Sequence, residues 1–559
     1  MLSSLGAASA GLQLADAARA GACTLLGVLP RLFAASHQLA ADAGAATAFS
    51  SRRPLAALAA TGYPSPDAPS FQYAVLEAPL LKEQGAPVPG AIPRRLLPFA
   101  QRMASLGGRR AAGTEAVYEA AVSAAQAGQP FAIVLGTGGT EGAALKLAAH
   151  YHKEYQKAQQ AAAGELPHEP LGWVAPTALP PLVLVAHPYS NSLPSALEAL
   201  AALQQEGLRG RAVYLASAAA GSPQGEAGWA ALRGALQSVR VWHQLHRSRI
   251  GLVGPPSEWL VASVPPSQLV TAAWGPSLVD VDMQELMGAL WGGGRFKKAE
   301  VDAAVADLLS SSGAPPTHTH SPDEPASDGC PACGAAAAPG PADPESAAKV
   351  YLAMRRLVDK HGLSCITVRC FDIVTAQQTS GCYSLSRLLD ENIIAGCEGD
   401  VCSALGMLWG KLMTGQVPWM ANTAQVDMID GVLKLAHCTI ARSLLASHEA
   451  TAHFESGLGV ALKGEVPPGA VTLLRIGGRD LDQLWVEEGY ALRQGKPKAG
   501  DAWSPQLCRT QVRVSLLGGR SAVEALLKRP LGNHVVLLRG HHKAALQSYF
   551  RLCVPGAEH

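Results

Sequence analysis

The sequence has no surplus of charge of either sign. Lys and Arg total 45 against 44 Asp and Glu in 559 residues, so nothing in it marks a nucleic-acid or anionic-membrane surface. Long apolar runs are missing too. The best candidate span, residues 20–35, is broken by Pro30 and Arg31, and no bilayer-crossing segment is expected. No compact secretory signal is apparent. The 11 cysteines form no paired framework: Cys365, Cys370, Cys382, Cys397, Cys402, Cys438 and Cys508 sit in or beside apolar runs of the C-terminal half. That is the pattern of small buried hydrophobes in a reducing compartment. Cys330 and Cys333 form CPAC, with His318 and His320 upstream. This is half the ligand set of a zinc site, set in Pro/Ala/Ser-rich text that reads as linker.

Nucleotide signatures are also lacking. LGTGGTEG at 135–142 has neither the G-x-G-x-x-G spacing of a dinucleotide fingerprint nor the lysine of a P-loop, which argues against NAD and ATP. A Gly-rich turn between strand and helix still presents backbone N–H groups to a sugar or phosphate, or is simply a tight turn. Thr140 and Glu141 are its candidate substrate contacts.

What is present is an alternation of strand-like and helix-like segments, the pattern of open α/β layers with parallel sheets. Strands are expected at 131–135, 182–186, 213–216, 250–253, 269–273 and 365–374. Helices are expected from about 140, after Pro194 with Leu197, Leu200 and Leu203 as its apolar stripe, and at about 346–361. Beyond about 440 the segments become short, β-rich and separated by Gly/Pro turns, so a mainly antiparallel C-terminal domain is expected. The fold class is therefore α/β, with two open (Rossmann-like) α/β domains and then a β-rich domain. The segments read as an Ala-rich extension or transit peptide (1–65), α/β domains (66–178 and 179–309), a linker (310–346), an α/β segment (347–440) and the β-rich domain (441–559). The compartment expected is the cytoplasm, or a plastid or mitochondrion if the first segment is a transit peptide.

The most informative stretch is CEGDVCSALGMLWGKLMTG, at 397–415. Glu398 and Asp400 lie between an apolar strand-like segment and a helical pattern. A carboxylate on such a corner is held rigidly and points out of the scaffold, which suits a metal ligand or general base. Asp400 alternatively caps the helix.

This stretch resembles the L-fucose isomerase-like proteins of the L-fucose/L-arabinose isomerase superfamily. The resemblance extends through VLGTGGTEG (134–142), VAHPYSNSLPSALEAL (185–200), GLVGPPSEWLVAS (251–263), TVRCFDIV (367–374), TSGCYSLSRLLDENIIAGCEGD (379–400), HFESGLGVALKG (453–464), CRTQVRV (508–514) and PLGNHVVLLRG (530–540). It implies two α/β domains followed by a β-rich domain, and a homo-oligomer. It also implies a metal-dependent aldose–ketose isomerase working through an enediol on a small-molecule sugar.

By motif, Glu398 corresponds to the family's glutamate ligand and base, with Asp400 beside it as a second catalytic carboxylate. His534, in GNH, corresponds to the histidine ligand. The family's aspartate position falls in VPWMAN and here is Asn422, an amide that ligates without charge unless Asp400 or Asp427 supplies it. The resemblance implies a divalent ion, manganese first. Candidate substrate contacts are Thr140, Glu141, Asn191, Trp259, His437 and Arg509. His453, Glu455 and Arg475 are further candidates, Arg475 equally as a salt-bridge partner. Asn422 also motivates an alternative reading, a carbohydrate-binding relative with a degenerate metal site.

Overall fold

The computed structural model describes residues 71–76, 94–111, 114–164, 178–219, 221–291, 296–310, 343–493 and 503–557. The Ala-rich first segment and the CPAC stretch lie outside them.

Strands β1 (Phe71–Leu76), β2 (Gly108–Ala111), β3 (Phe131–Leu135), β4 (Leu182–Ala186) and β5 (Gly210–Tyr214) form a parallel sheet in the order β2-β1-β3-β4-β5. FAIVL and LVLVA, the texts of β3 and β4, are buried at every residue. Unbroken apolar runs of this kind belong to strands covered on both faces. This sheet takes strands from both sides of position 178. A second parallel sheet, in the order β7-β6-β8-β9, comprises β6 (Arg249–Val253), β7 (Ser277–Val281), β8 (Cys365–Val368) and β9 (Ile394–Cys397).

The chain then turns antiparallel, at Trp419 rather than near 441. β10 (Trp419–Asp427) and β11 (Val432–His437) are followed by the separate hairpin of β12 (Ser447–Thr451) and β13 (Ala461–Glu465). β14 (Gly469–Gly477), β15 (Gln483–Ala491), β16 (Thr510–Leu516) and β17 (His534–Arg539) complete a closed barrel in the order β10-β11-β16-β15-β14-β17. The expected α/β fold with a β-rich C-terminal part is therefore what forms. Among the described residues no helix is long and apolar enough to cross a membrane.

Three local expectations fail for physical reasons. Residues 269–273 lie in the helix Ser267–Trp274, where Val270 and Trp274 are buried one turn apart; a short apolar run does not by itself distinguish strand from helix. The 365–374 strand stops at Val368, and the helix Cys370–Gln377 follows. Arg369 makes this corner, bonding the Pro256 carbonyl, Asp372 and Glu258. In the helix Ser192–Gln205 the buried face is Ser192, Ser195, Ala196, Ala199 and Leu203, while Leu197 is exposed. Small residues line the contact, so the apolar residues alone mislead.

The helix Val401–Thr414 joins the second sheet to the barrel. It is buried all round from Val401 to Gly410, as a helix enclosed by protein must be. Cβ atoms added at Gly406 and Gly410 would meet Leu474 on β14 at 3.2 Å and Leu538 on β17 at 3.0 Å. Glycine lets the helix lie directly on the barrel. This contact fixes the start of the helix, where the carboxylates are, against the strand that carries His534.

Candidate active site

The strand-to-helix corner is strained. Glu398 has φ +64° and Gly399 φ +72°, a region that non-glycine residues enter at a cost of order 1 kcal/mol or more and that clusters at functional sites. Tertiary hydrogen bonds hold it there. Ser257 N donates to the Glu398 carbonyl at 2.9 Å and Gly399 N to the Val368 carbonyl at 3.1 Å. A Cβ at Gly399 would lie 2.8 Å from Pro256 Cα, so this position needs glycine on both counts. The result aims the Glu398 side chain, 12% exposed, at the end of the barrel.

Two imidazoles meet it. His534 opens β17 and is fully buried, with Nε2 3.6 Å from Glu398 Oε1; His437 ends β11, with Nε2 3.9 Å from the same oxygen. The donor atoms of Glu398, His437 and His534 lie within 4.8 Å of one another. One carboxylate oxygen and two imidazole nitrogens suit a divalent cation such as manganese or zinc. The donor set therefore fits the implied metal, and it brings in His437 beside the expected Glu398 and His534.

Each imidazole is oriented from behind. His534 Nδ1 bonds Asp400 Oδ2 at 2.9 Å, and His437 Nδ1 bonds Thr439 Oγ1 at 3.1 Å. Asp400 is fully buried and does not line the cavity. It caps the helix through Ser403 N at 2.7 Å and Ser403 Oγ at 2.8 Å, and it pairs with Arg475 Nη1 at 3.1 Å. Arg475, also buried, accordingly serves as a salt-bridge partner. It further donates to Ser263 Oγ, Ser403 Oγ and the Leu531 carbonyl. A Cβ at Gly532 (φ +148°) would collide with its guanidinium.

The electrostatics follow from these contacts. Burial alone would raise the Glu398 carboxyl, but hydrogen bonding and charge from His437 and His534 outweigh it and hold Glu398 well below the usual carboxylate range. Burial would likewise raise Asp400, but Arg475 and His534 bring it down to about 2. For His534 burial opposes the charge, yet Asp400 and Glu398 carry its pKa up to about 9. The site thus favours a positive charge between Glu398 and His534.

A cavity of about 280 Å³ opens beside this cluster, lined in part by Trp259, Phe371, Glu398, Asn422, His437 and Glu455. Pockets for drug-sized ligands run from roughly 300 Å³ upward, so this size suits a small ligand. Trp259 is half-exposed. It stands edge-on to Phe371 at 5.1 Å and donates from Nε1 to Glu398 Oε2 at 2.6 Å. Asn422 faces His534 across β10–β17, and its Oδ1 accepts from Asn533 Nδ2 at 3.4 Å. The register slips just after it, between Thr423 and Gln425, and bulges of this kind often re-aim side chains beside sites.

His453 also lines the cavity, whereas Asp427, Arg509, Thr140, Glu141 and Asn191 do not. Asp427 makes the β10–β11 turn through Ile429 N and Asp430 N and does not reach the cavity lining. Arg509 is buried nearby, its Nε donating to the Ala452 carbonyl at 2.9 Å; it holds the segment entering His453. Thr140, Glu141 and Asn191 follow β3 and β4, interior strands of the first sheet, and none lines the cavity. Thr140 Oγ1 bonds the Thr137 carbonyl and Ser195 Oγ, and Gly138 N bonds the Ser190 carbonyl.

Five cavity residues have sulfur side chains: Cys370, Cys382, Cys397, Cys438 and Cys508. Their scatter in the sequence gave no sign of this, nor did anything single out Phe371 and Asn533. Hydrogen bonds from Cys382 and Cys508 hold the Cys438 thiol well below its ordinary range.

No family model matches the chain. Two curated proteins are similar to part of it. A sulfoquinovose isomerase of Alkalicoccus urumqiensis is 30% identical over 209 residues, covering 36% of this chain and 45% of the relative. A sulfoquinovose isomerase of Clostridium sp. (strain MSTE9) is 29% identical over 208 residues, covering 35% and 44%. The chain thus spans less than half the length of the curated relatives it matches.

Proposed function

We propose that this protein is a metal-dependent aldose–ketose isomerase acting on a monosaccharide or a close sugar derivative. The observation that carries the reading is the meeting of Glu398, His437 and His534 beside a sugar-sized cavity that Glu398 and His437 line. The similarity to two proteins named sulfoquinovose isomerase supports it, and makes sulfoquinovose one substrate to test beside L-fucose and L-arabinose.

Isomerisation moves a proton between C1 and C2 while the adjacent oxygens become an enediol. Glu398, His437 and His534 would hold a divalent cation, which would supply Lewis-acid polarisation of those oxygens when bound. The proton carrier must reach C1 and C2, and Glu398 is the carboxylate beside the imidazoles. On this reading Glu398 carries the proton, although its low pKa makes it a weak base. Asn422 and Asn533 present amides to sugar hydroxyls. Trp259 covers the open side with its ring and limits water. Asp400 keeps the Nδ1 proton of His534 in place, which leaves Nε2 for the cation. Assembly as a homo-oligomer belongs to the same proposal.

The test is chelation. Protein stripped of divalent ions is expected to lose turnover of the sugar panel, followed by NMR of the aldose and ketose, and to regain it with manganese. Turnover indifferent to stripping would overturn the reading. Sugar binding without turnover in the manganese-loaded protein would instead favour the carbohydrate-binding alternative.

Trp259→Phe keeps the ring against Phe371 and removes the N–H that holds Glu398 Oε2. Loss of a partner that orients a ligand typically reduces activity or metal affinity by about 10–100-fold. A fall of that size in kcat/KM is expected, with melting temperature unchanged.

A further inference from the structure

The sulfur-lined side of the cavity contains a second set of donors. The donor atoms of Cys382, Cys438 and His453 lie within 4.8 Å of one another, and all three residues are buried. Cys508 packs against the same cluster. None of the described cysteines is in a disulfide. We propose that Cys382, Cys438 and His453, with Cys508 as fourth donor, form a zinc site distinct from the Glu398 cluster.

The scaffold supports this in several ways. The residues come from separate segments that converge and are individually pinned. Cys382 begins the helix Cys382–Asp390, and the turn before it is locked by Ser380 Oγ, which donates to the Val460 carbonyl and accepts from Val460 N, each at 3.0 Å. Cys438 follows β11 and Cys508 precedes β16. These strands are paired up to His437 and Thr510, which brings the two thiols side by side. His453 follows β12, and its Nδ1 is engaged by Ser456 Oγ at 3.0 Å. Nε2 is the nitrogen left for a ligand, and a ligating histidine ordinarily has its other nitrogen held in this way.

The donor chemistry selects the ion. Thiolates with one imidazole are a set for tetrahedral zinc, whereas the oxygen and imidazole donors around Glu398 accept a harder cation. Bound zinc would clip the helix Cys382–Asp390 to the barrel end and to the β12–β13 hairpin. It would thus fix part of the cavity wall, and it does not depend on the isomerase reading.

Cobalt substitution tests the site in the intact chain, purified under reducing conditions. Wild-type protein is expected to retain about one zinc per chain in this site. With cobalt it should show a thiolate-to-metal charge-transfer band in the near ultraviolet and tetrahedral bands in the visible. Cys438→Ser and Cys382→Ser should abolish the charge-transfer band, and Glu398→Gln should keep it. His453→Gln, which leaves the thiols intact, should shift the visible bands and covers the case in which a cysteine variant does not fold. A wild-type spectrum without the charge-transfer band would overturn the proposal. So would a band that survives both serine substitutions, or a Cys382–Cys438 disulfide found by mass spectrometry in freshly purified protein.

Discussion

Glu398→Gln is expected to lower kcat/KM by at least about 10³-fold, the combined loss of a cation ligand and a proton carrier. The substitution keeps the side chain's shape and leaves the backbone, with its φ of +64°, unchanged. Trp259 Nε1 still needs an acceptor where Glu398 Oε2 now stands, so the amide oxygen turns to the tryptophan. The NH₂ group then faces His437 and His534, where the carboxylate oxygen was. A donor replaces an acceptor between two imidazoles, and a cation is repelled from the position it would share. Elemental analysis should show the manganese of reconstituted protein lost, while circular dichroism shows the fold retained. In the wild type, His534 must release its proton before Nε2 can ligate. Manganese affinity should therefore strengthen as pH rises and level off near the metal-free pKa of about 9. A variant that keeps its manganese and turns over within tenfold of wild type would remove Glu398 from the centre.

How far such a site can be read in the sequence depends on what carries each residue. Glu398 was legible because a strand followed at once by a helix puts a carboxylate on a corner, and both elements announce themselves by periodicity. The α/β alternation was legible for the same reason. His534 was legible only through a resemblance, since nothing in GNH says that β17 closes a barrel beside the corner. His437 was visible at a strand end, but its pairing with Glu398 depends on barrel closure, a non-local event. Asn422, reached through the resemblance, does line the cavity, and the imidazole of His437 one strand over adds a donor that the resemblance did not assign as a ligand. Thr140, Glu141 and Asn191 follow strands, as site residues in α/β sheets commonly do. Theirs are strands of the first sheet, and the cavity lies between the second sheet and the barrel. The cysteines were illegible because their convergence comes from strand register and a helix start, with no spacing pattern along the chain.

Asp400→Asn is expected to destabilise the metal-free protein by about 3–5 kcal/mol, the usual penalty for removing one partner of a buried ion pair. Arg475 is then a buried cation with only neutral partners, Ser263, Ser403 and the Leu531 carbonyl. It cannot escape by deprotonation. The pH dependence separates this charge effect from simple loss of packing. Asp400 is depressed to about 2, below its unfolded value, so its contribution is present above about pH 4 and is lost as pH falls through 2. His534 is raised to about 9, above its unfolded value. Its contribution is full below about pH 6.5 and is lost as pH rises through 9, a decline of about 3 kcal/mol across that window. Both shifts share the Asp400–His534 contact, beside Arg475 for the one and Glu398 for the other, so they are not summed. Wild-type protein without metal should therefore lose stability steadily from pH 6.5 to 9. In Asp400→Asn that decline should shrink, because the neutral amide no longer holds the imidazolium and only Glu398 still does. The same substitution lets the amide NH₂ donate to Nδ1, which moves the His534 proton to Nε2, the nitrogen needed for the cation. Manganese affinity should fall about 10–100-fold even at pH values where the variant remains folded. Urea unfolding at pH 5.5, 7.5 and 9.5 on both proteins reads the slope, and manganese titration reads the tautomer. An unchanged alkaline slope in the variant would show that Asp400 does not hold the charge on His534.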